Sequence, residues 1–278
     1  MGFPMAGHLS LDKSVDVYVF NRTGSVSSKW IKQYAGIQLT SFQSLSCKFD
    51  GVITCLKDDA AISSFLLKSG VLNSIKTNGF IVDHSTSSLD LVDLLTNNKE
   101  IISKKISFFD APVSGGEAGA INGVLSVMLG GPKKKLSKIT PVMETYAKLI
   151  THIGSNGHGQ LTKMVNQLCI ASLIQGLSEG VQLGMKSDLN MSKVLDAISG
   201  GAAQSWQMDN RFKTMVKGEF DFGFAVDLMV KDLKIALDYS NALNLDLSTS
   251  KSILKKYKKL STLGDGQLDT SSLIKLLN

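Results

Sequence analysis

Residues 157–167 read Gly-His-Gly-Gln-Leu-Thr-Lys-Met-Val-Asn-Gln, and the chain changes character at this stretch. Before it, apolar runs rich in β-branched residues fall at 15–20, 37–40, 51–56, 79–83, 106–110, 124–129 and 149–153, with helical patterns between most of them. Strands alternating with helices predict βαβ units on a parallel sheet. After it, every segment reads as helix: a long one over 159–187, then 191–199, 205–217, 226–243, 249–261 and 269–277. The chain therefore divides into an α/β domain, 1–156, and an all-α domain, 157–278.

Within that stretch a glycine-rich turn opens into the long helix. Helical spacing puts Lys163, Asn166 and Gln167 on one face. An amine among apolar neighbours with two amides beside it suits proton transfer. An ordinary polar stripe has the same pattern, so the rest of the chain must decide.

With 278 residues, 43% hydrophobic and 19% charged, the composition is that of a folded globular protein with ample core. The formal charge of +6 suits small anions. The basic clusters Lys133–Lys135 and Lys255-Lys256-Tyr257-Lys258-Lys259 read as solvated helix faces, and no nucleic-acid module accompanies them. Cys47, Cys55 and Cys169 are odd in number and sit in apolar contexts, as reduced core residues of a cytosolic protein do. No apolar run approaches the roughly 18–20 residues that cross a membrane, and the N-terminus lacks a signal-peptide pattern. A cytoplasmic protein is expected. The histidines have no partners at metal-ligand spacing, and neither a Gly-x-Ser-x-Gly elbow nor a Walker loop occurs.

Four further constellations bear on chemistry. A nucleotide-binding α/β domain opens with a strand, a glycine-rich turn and a helix whose N-terminus faces phosphates. This chain begins at Met1-Gly2-Phe3-Pro4, where such a helix would begin, with Pro4 in its first turn. The strand at 15–20 is then the second, and at its end stand Asn21, Arg22 and Thr23. A cation and a hydroxyl there suit a 2′-phosphate, where an acid would bind the ribose of NAD; a plain polar turn is the alternative. In Asp110-Ala111-Pro112-Val113-Ser114-Gly115-Gly116 a serine hydroxyl beside two glycine amides makes a cradle for a carboxylate, or else a flexible turn. Ser85 and Thr86 follow a strand, where α/β sheets place ligands, and can also cap the next helix. Lys231-Asp232 lies inside a helix; neighbours in sequence do not face each other there, so no simple pair is expected. Trp206, Phe222 and Phe224 are candidates for a substrate wall or for core.

Taken together and in this order, the segments resemble the β-hydroxyacid dehydrogenase family, which includes 3-hydroxyisobutyrate dehydrogenase, tartronate semialdehyde reductase and the glyoxylate/succinic semialdehyde reductases. The matching motifs are 2–6, 110–116, 157–167 and Lys231-Asp232-Leu233. The longer 6-phosphogluconate dehydrogenases carry histidine where Asn166 stands, and imine reductases generally lack the lysine. The resemblance implies a Rossmann-like first domain and a helical second domain of the 6-phosphogluconate dehydrogenase-like type. It implies an NADP-dependent oxidoreductase, with NAD as the alternative cofactor, that interconverts a small β-hydroxy acid and its semialdehyde. Lys163 would be the general acid/base, its pKa lowered by burial and by the positive helix end. Asn166 and Gln167 would orient the substrate oxygen. Ser114, Gly115 and Gly116 would hold the carboxylate. Gly2, Met5, Asn21, Arg22, Thr23, Leu56, Thr86 and Lys231 would line the cofactor, Lys231 from the helical domain. A homodimer or homotetramer is implied as well. One departure stands out: the family's first strand and first two glycines have no counterpart, so the Rossmann-like domain is expected to be N-terminally truncated. Two readings stay open, an enzyme whose intact gene product has that strand and a non-catalytic member that has lost its cofactor.

Overall fold

A computed structural model of the protein describes residues 1–43, 45 and 48–277. It comprises two compact units, Met1–Lys163 and Met164–Asn278. In the first, elements follow in the order α1 (Gly2–Leu9), β1 (Tyr18–Val19), α2 (Gly24–Ile31), β2 (Ile37–Gln38), β3 (Phe49–Thr54), α3 (Asp59–Ser63), β4 (Ile75–Asp83), α4 (Leu89–Thr96), α5 (Lys99–Ser103), β5 (Ser107–Asp110), β6 (Val113–Ser114), α6 (Gly116–Ile121), β7 (Leu125–Gly130), α7 (Leu136–Glu144) and β8 (Ala147–Gly154). A long α8 (His158–Lys186) then runs on into the second unit.

Six strands form one sheet in the order β3-β4-β5-β7-β6, with β8 paired to β7. The expected all-parallel sheet is instead mixed. β3, β4 and β5 run parallel, as do β7 and β8, whereas β7 is antiparallel to β5 and β6. The reason is local: β6 leads into the one-and-a-half-turn α6, and Gly123, at φ 67°, brings the chain straight back. β1 and β2 pair in parallel as a separate two-stranded sheet. The break lies between β1 and β3, where a dinucleotide-binding fold runs its first strand. The strand expected over 15–20 is only Tyr18–Val19, because Val15 and Ser14 close a turn onto Asp12 before pairing begins.

Alternation of buried positions follows from the pleat. Ile81, Phe108 and Leu95 enter one apolar cluster, while Val82, Phe109, Leu125 and Leu129 enter another with Met5 and Tyr146. Asp58 caps α3 by accepting from the Ala61 amide, as its acidic start predicts. The cap of α4 is Ser88, which accepts from the Leu91 amide at 3.1 Å; neither Ser85 nor Thr86 provides it.

The second unit is helical. After α8 come α9 (Met191–Ile198), α10 (Trp206–Lys217), α11 (Val226–Ala242) and α12 (Ser248–Leu260). The last segment, expected as a helix over 269–277, is one, of the 3₁₀ type, over Thr270–Leu277. Asp269 starts it that way, accepting from the Ser271 amide with its side chain and from the Ser272 amide with its carbonyl. In the basic run of α12, Lys255, Lys258 and Lys259 are exposed, while Tyr257 is fully buried and donates to the Thr270 carbonyl. Cys169 departs from expectation and is exposed, because it falls off the buried stripe of Gln167, Ala171, Ile174 and Ser178 on α8. Cys55 is half-buried, and Cys47 lies outside the described residues. No helix among the described residues is long and apolar enough to cross a membrane.

Candidate active site

The start of α8 is clamped from β5. The buried Asp110 carboxylate accepts the Gly157 amide at 2.8 Å and the Gln160 amide at 3.0 Å, placing an acid at the positive end of a 29-residue helix. Burial pushes its carboxyl up while these amide bonds pull it down. Gly157 has φ 89°, and a side chain at Gly159 would press into the carbonyl oxygens of Asp110 and Met128. Both glycines of the turn are therefore demanded by this clamp.

One and a half turns further, Lys163 is 8% exposed and donates to the Val113 carbonyl at 2.9 Å. That carbonyl directly precedes Ser114, so the amine sits beside the predicted cradle. The segment 110–116 is not a loose turn. Val113 and Ser114 pair with Val127 and Ser126, and Gly115 and Gly116 follow at φ 125° and 61° to start α6. A Cβ at Gly116 would meet nothing within 4 Å, so its backbone is open to approach.

The carboxyl ends of β3 and β4 are tied by a buried carboxylate. Asp83 accepts from the Thr54 hydroxyl at 2.7 Å and the Ser85 hydroxyl at 2.6 Å, and the Leu56 amide donates to that same serine oxygen at 2.8 Å. Leu56, Ser85 and Thr86 thus share one end of the sheet. The first turn of α1 is there too, since a Cβ on Gly2 would contact the Cys55 side chain at 3.3 Å. Met5 turns its side chain into the core, at 3% exposure. After β1, the Asn21 amide donates to the Thr23 carbonyl at 3.0 Å, and Arg22 is exposed.

The ring of adjacent His84 is equally buried but bonds elsewhere, only its backbone amide reaching the Thr54 carbonyl. Its Nδ1 donates to the Ala111 carbonyl at 2.6 Å, so Nε2 accepts from the Tyr146 hydroxyl at 2.9 Å. Burial holds this imidazole neutral, its pKa pushed down from 6.5 to about 4, and burial also pushes Asp83 up from 3.8 to about 6. The two act oppositely on stability. Between about pH 4 and 6.5 the unfolded chain binds the histidine proton that the fold rejects, so this contribution grows as pH rises. Between about pH 3.8 and 6 the fold keeps the aspartic proton that the unfolded chain releases, so this contribution shrinks as pH rises. Asp83→Asn removes the second effect. Its unfolding free energy, from urea titrations at pH 4, 5, 6 and 7, is expected to climb with pH more steeply than that of the native protein. Equal slopes would contradict the assignment.

In the helical unit a second polar cluster forms. The Asn166 side-chain amide donates to Gln167 Oε1 at 2.8 Å, Gln167 Nε2 donates to Asp232 Oδ2 at 2.6 Å, and Lys231 Nζ lies 3.0 Å from Asp232 Oδ1. Lys231 and Asp232 do pair, contrary to the reading from helical spacing. The four-carbon lysine stem reaches round the helix to a carboxylate already buried and held by Gln167. Trp206 and Phe222 are exposed and flank the Arg211 guanidinium at 5.0 and 4.8 Å, while Phe224 packs against core. A cavity of about 790 Å³ in this unit is bounded by Met185, Met215, Phe220 and their neighbours, and it contains only Phe222 of the residues singled out above. Gln160 and Asp232 fall inside segments that the sequence points to, yet neither they nor Asp83 carried an expected role. Buried polar residues at strand ends and in the first turn of a helix were the available signal.

Two family models match the chain. The NAD binding domain of 6-phosphogluconate dehydrogenase matches residues 1–154, and the NAD-binding domain of NADP-dependent 3-hydroxyisobutyrate dehydrogenase matches residues 157–277. An uncharacterized oxidoreductase of Shewanella frigidimarina is 42% identical over 275 residues, spanning 99% of this chain and 94% of that protein. The Arabidopsis thaliana protein named "Probable 3-hydroxyisobutyrate dehydrogenase-like 1, mitochondrial" is 36% identical over 99% of this chain and 81% of its own length. Among solved structures, the 3-hydroxyisobutyrate dehydrogenase of Mycobacterium tuberculosis with L-serine superposes with a TM-score of 0.86 at 26% identity, covering 100% of this chain and 96% of that one. On the motifs, the two-unit architecture and these matches, the chain belongs to the β-hydroxyacid dehydrogenase family of NAD(P)-dependent oxidoreductases.

Proposed function

We propose that the protein is an NADP-dependent oxidoreductase interconverting a small β-hydroxy acid and its semialdehyde, with Lys163 giving the proton in reduction and taking it in oxidation. The observation that carries this reading is the buried Lys163 amine on the Val113 carbonyl, one residue before the serine-glycine-glycine cradle. A carboxylate held by Ser114, Gly115 and Gly116 would leave its carbonyl end within reach of that amine. The names of the Arabidopsis and Mycobacterium proteins, and the serine in the latter, point to the same substrate class: a short chain with a carboxylate and a β-hydroxyl.

The residues fit a nicotinamide dinucleotide. The open N-terminus of α1, the Leu56 and Thr86 turns and the exposed Arg22 stand at strand ends, where such cofactors bind. When bound, that group supplies or accepts hydride, and the protein orients, donates a proton and excludes water. Asn21, Arg22 and Thr23 favour the 2′-phosphate of NADP. Arg22→Ala is expected to raise KM for NADPH by about tenfold and leave KM for NADH nearly unchanged, the loss of a charge-assisted hydrogen bond. Equal effects on both cofactors would refute this role.

Gln167, fixed by Asp232, is proposed to orient the substrate oxygen together with Asn166, and Lys231 to contact the cofactor. We place the functional division of the chain at 156/157, in a cytoplasmic protein that forms homodimers or homotetramers. A second reading, a member that holds no cofactor, draws on the break between β1 and β3. Fluorescence titration with NADPH separates the two: saturable binding supports the enzyme, and its absence supports the second. A kinetic panel of 3-hydroxyisobutyrate, glyoxylate, succinic semialdehyde, tartronate semialdehyde and serine then selects the substrate.

A further inference from the structure

Gln160 is a buried side chain that bonds both sides of the Thr86 turn. It is fully buried, and the two halves of its amide are both used. Nε2 donates to the Ser85 carbonyl at 2.8 Å, and Oε1 accepts from the Ser87 amide at 3.1 Å. Its own backbone amide is held by Asp110 at 3.0 Å, and three residues on, the same helix turn presents Lys163. A single amide therefore reads one donor and one acceptor of the turn, much as an edge of a strand would. It fixes that turn against the first turn of α8 in both translation and rotation.

We propose that Gln160 is a positioning residue, setting the spacing between the Thr86 turn and the Lys163 amine by clamping the backbone on both sides of Thr86. This rests on the reading of Lys163 as proton donor and of Thr86 as a cofactor neighbour. No other amino acid serves as well in a neutral site. Leucine fills the space with neither bond. Glutamate can make both bonds only while it carries its proton, because an ionised carboxylate would face the Ser85 carbonyl.

Three proteins test this: the native chain, Gln160→Leu and Gln160→Glu. Hydrogen exchange at the Ser87 amide is measured without ligand, turnover with the panel above, and NADPH affinity by titration. The clamp predicts that Gln160→Leu exchanges Ser87 about tenfold faster or more. It also predicts a kcat lower by about tenfold to a hundredfold, as misplacement of reactants gives, with NADPH affinity and melting cooperativity kept. Gln160→Glu should recover turnover relative to the native enzyme as pH is lowered, a titration that a space-filling role would not produce. Native-like Ser87 exchange in Gln160→Leu overturns the clamp, and native-like kcat, or a ratio of Gln160→Glu to native turnover that is flat with pH, overturns its role in catalysis. If the native chain itself neither binds NADPH nor turns over, the enzymatic reading and the catalytic part fail together. Ser87 exchange then still decides whether Gln160 holds the turn.

Discussion

Lys163→Ala is expected to lower kcat by about 10²–10⁴-fold, the usual contribution of a positioned proton donor, while NADPH affinity changes little. Reduction of a carbonyl would require a proton at its oxygen, and the lysine amine is a titratable group beside the proposed cradle. Its hold on the Val113 carbonyl at 2.9 Å keeps it there. Alanine also leaves that carbonyl without its donor, at about 1–3 kcal/mol of stability if no water replaces it. Lys163→Met keeps the stem and its packing, so comparing the two variants separates chemistry from folding. Both should lose turnover alike, and Met should unfold nearer the native midpoint. Substantial turnover in either variant would remove Lys163 from the mechanism.

The largest stability effect is expected from Asp269→Ala, about 3–5 kcal/mol, typical of removing one partner from a buried ion pair. Asp269 is fully buried and accepts five hydrogen bonds: two from Arg211, one from the Phe224 amide, and two from Ser271. Arg211 is also largely buried, with a side chain 15% exposed, and packs between Trp206 and Phe222. Truncation strands the guanidinium and releases the start of the last 3₁₀-helix in one step. Urea titration should show a lower midpoint, and an Arg211→Leu/Asp269→Leu double variant should recover part of the loss. A midpoint within error of the native one would mean that water satisfies these groups.

Much of the architecture is legible in the chain because it follows from periodicity. The strand at 79–83, the long helix over 159–187 and the switch from α/β to helix each express one apolar repeat over many residues. The mixed sheet is not legible, since its reversal depends on Gly123 and on a two-residue strand too short to show alternation. The same holds for the site. Lys163 with 114–116 can be picked out from residue types, and the fold brings those residues together. The side chains of Gln160 and Asp232 bond groups 65 to 75 residues away, and Asp83 joins nearby Ser85 to Thr54, 29 residues back; no local pattern reports these long-range bonds. Lys231 and Asp232 show the opposite error. A rule about backbone faces was applied to a side chain long enough to escape it.

The most direct measurement is nicotinamide absorbance during incubation of the native protein, and of Lys163→Met, with NADP⁺ and each β-hydroxy acid, and with NADPH and each semialdehyde. The account predicts that at least one small pair is interconverted by the native protein, faster with NADP than with NAD, and that Lys163→Met loses this turnover while still binding NADPH. No interconversion across the panel, or equal rates for the two proteins, would contradict it.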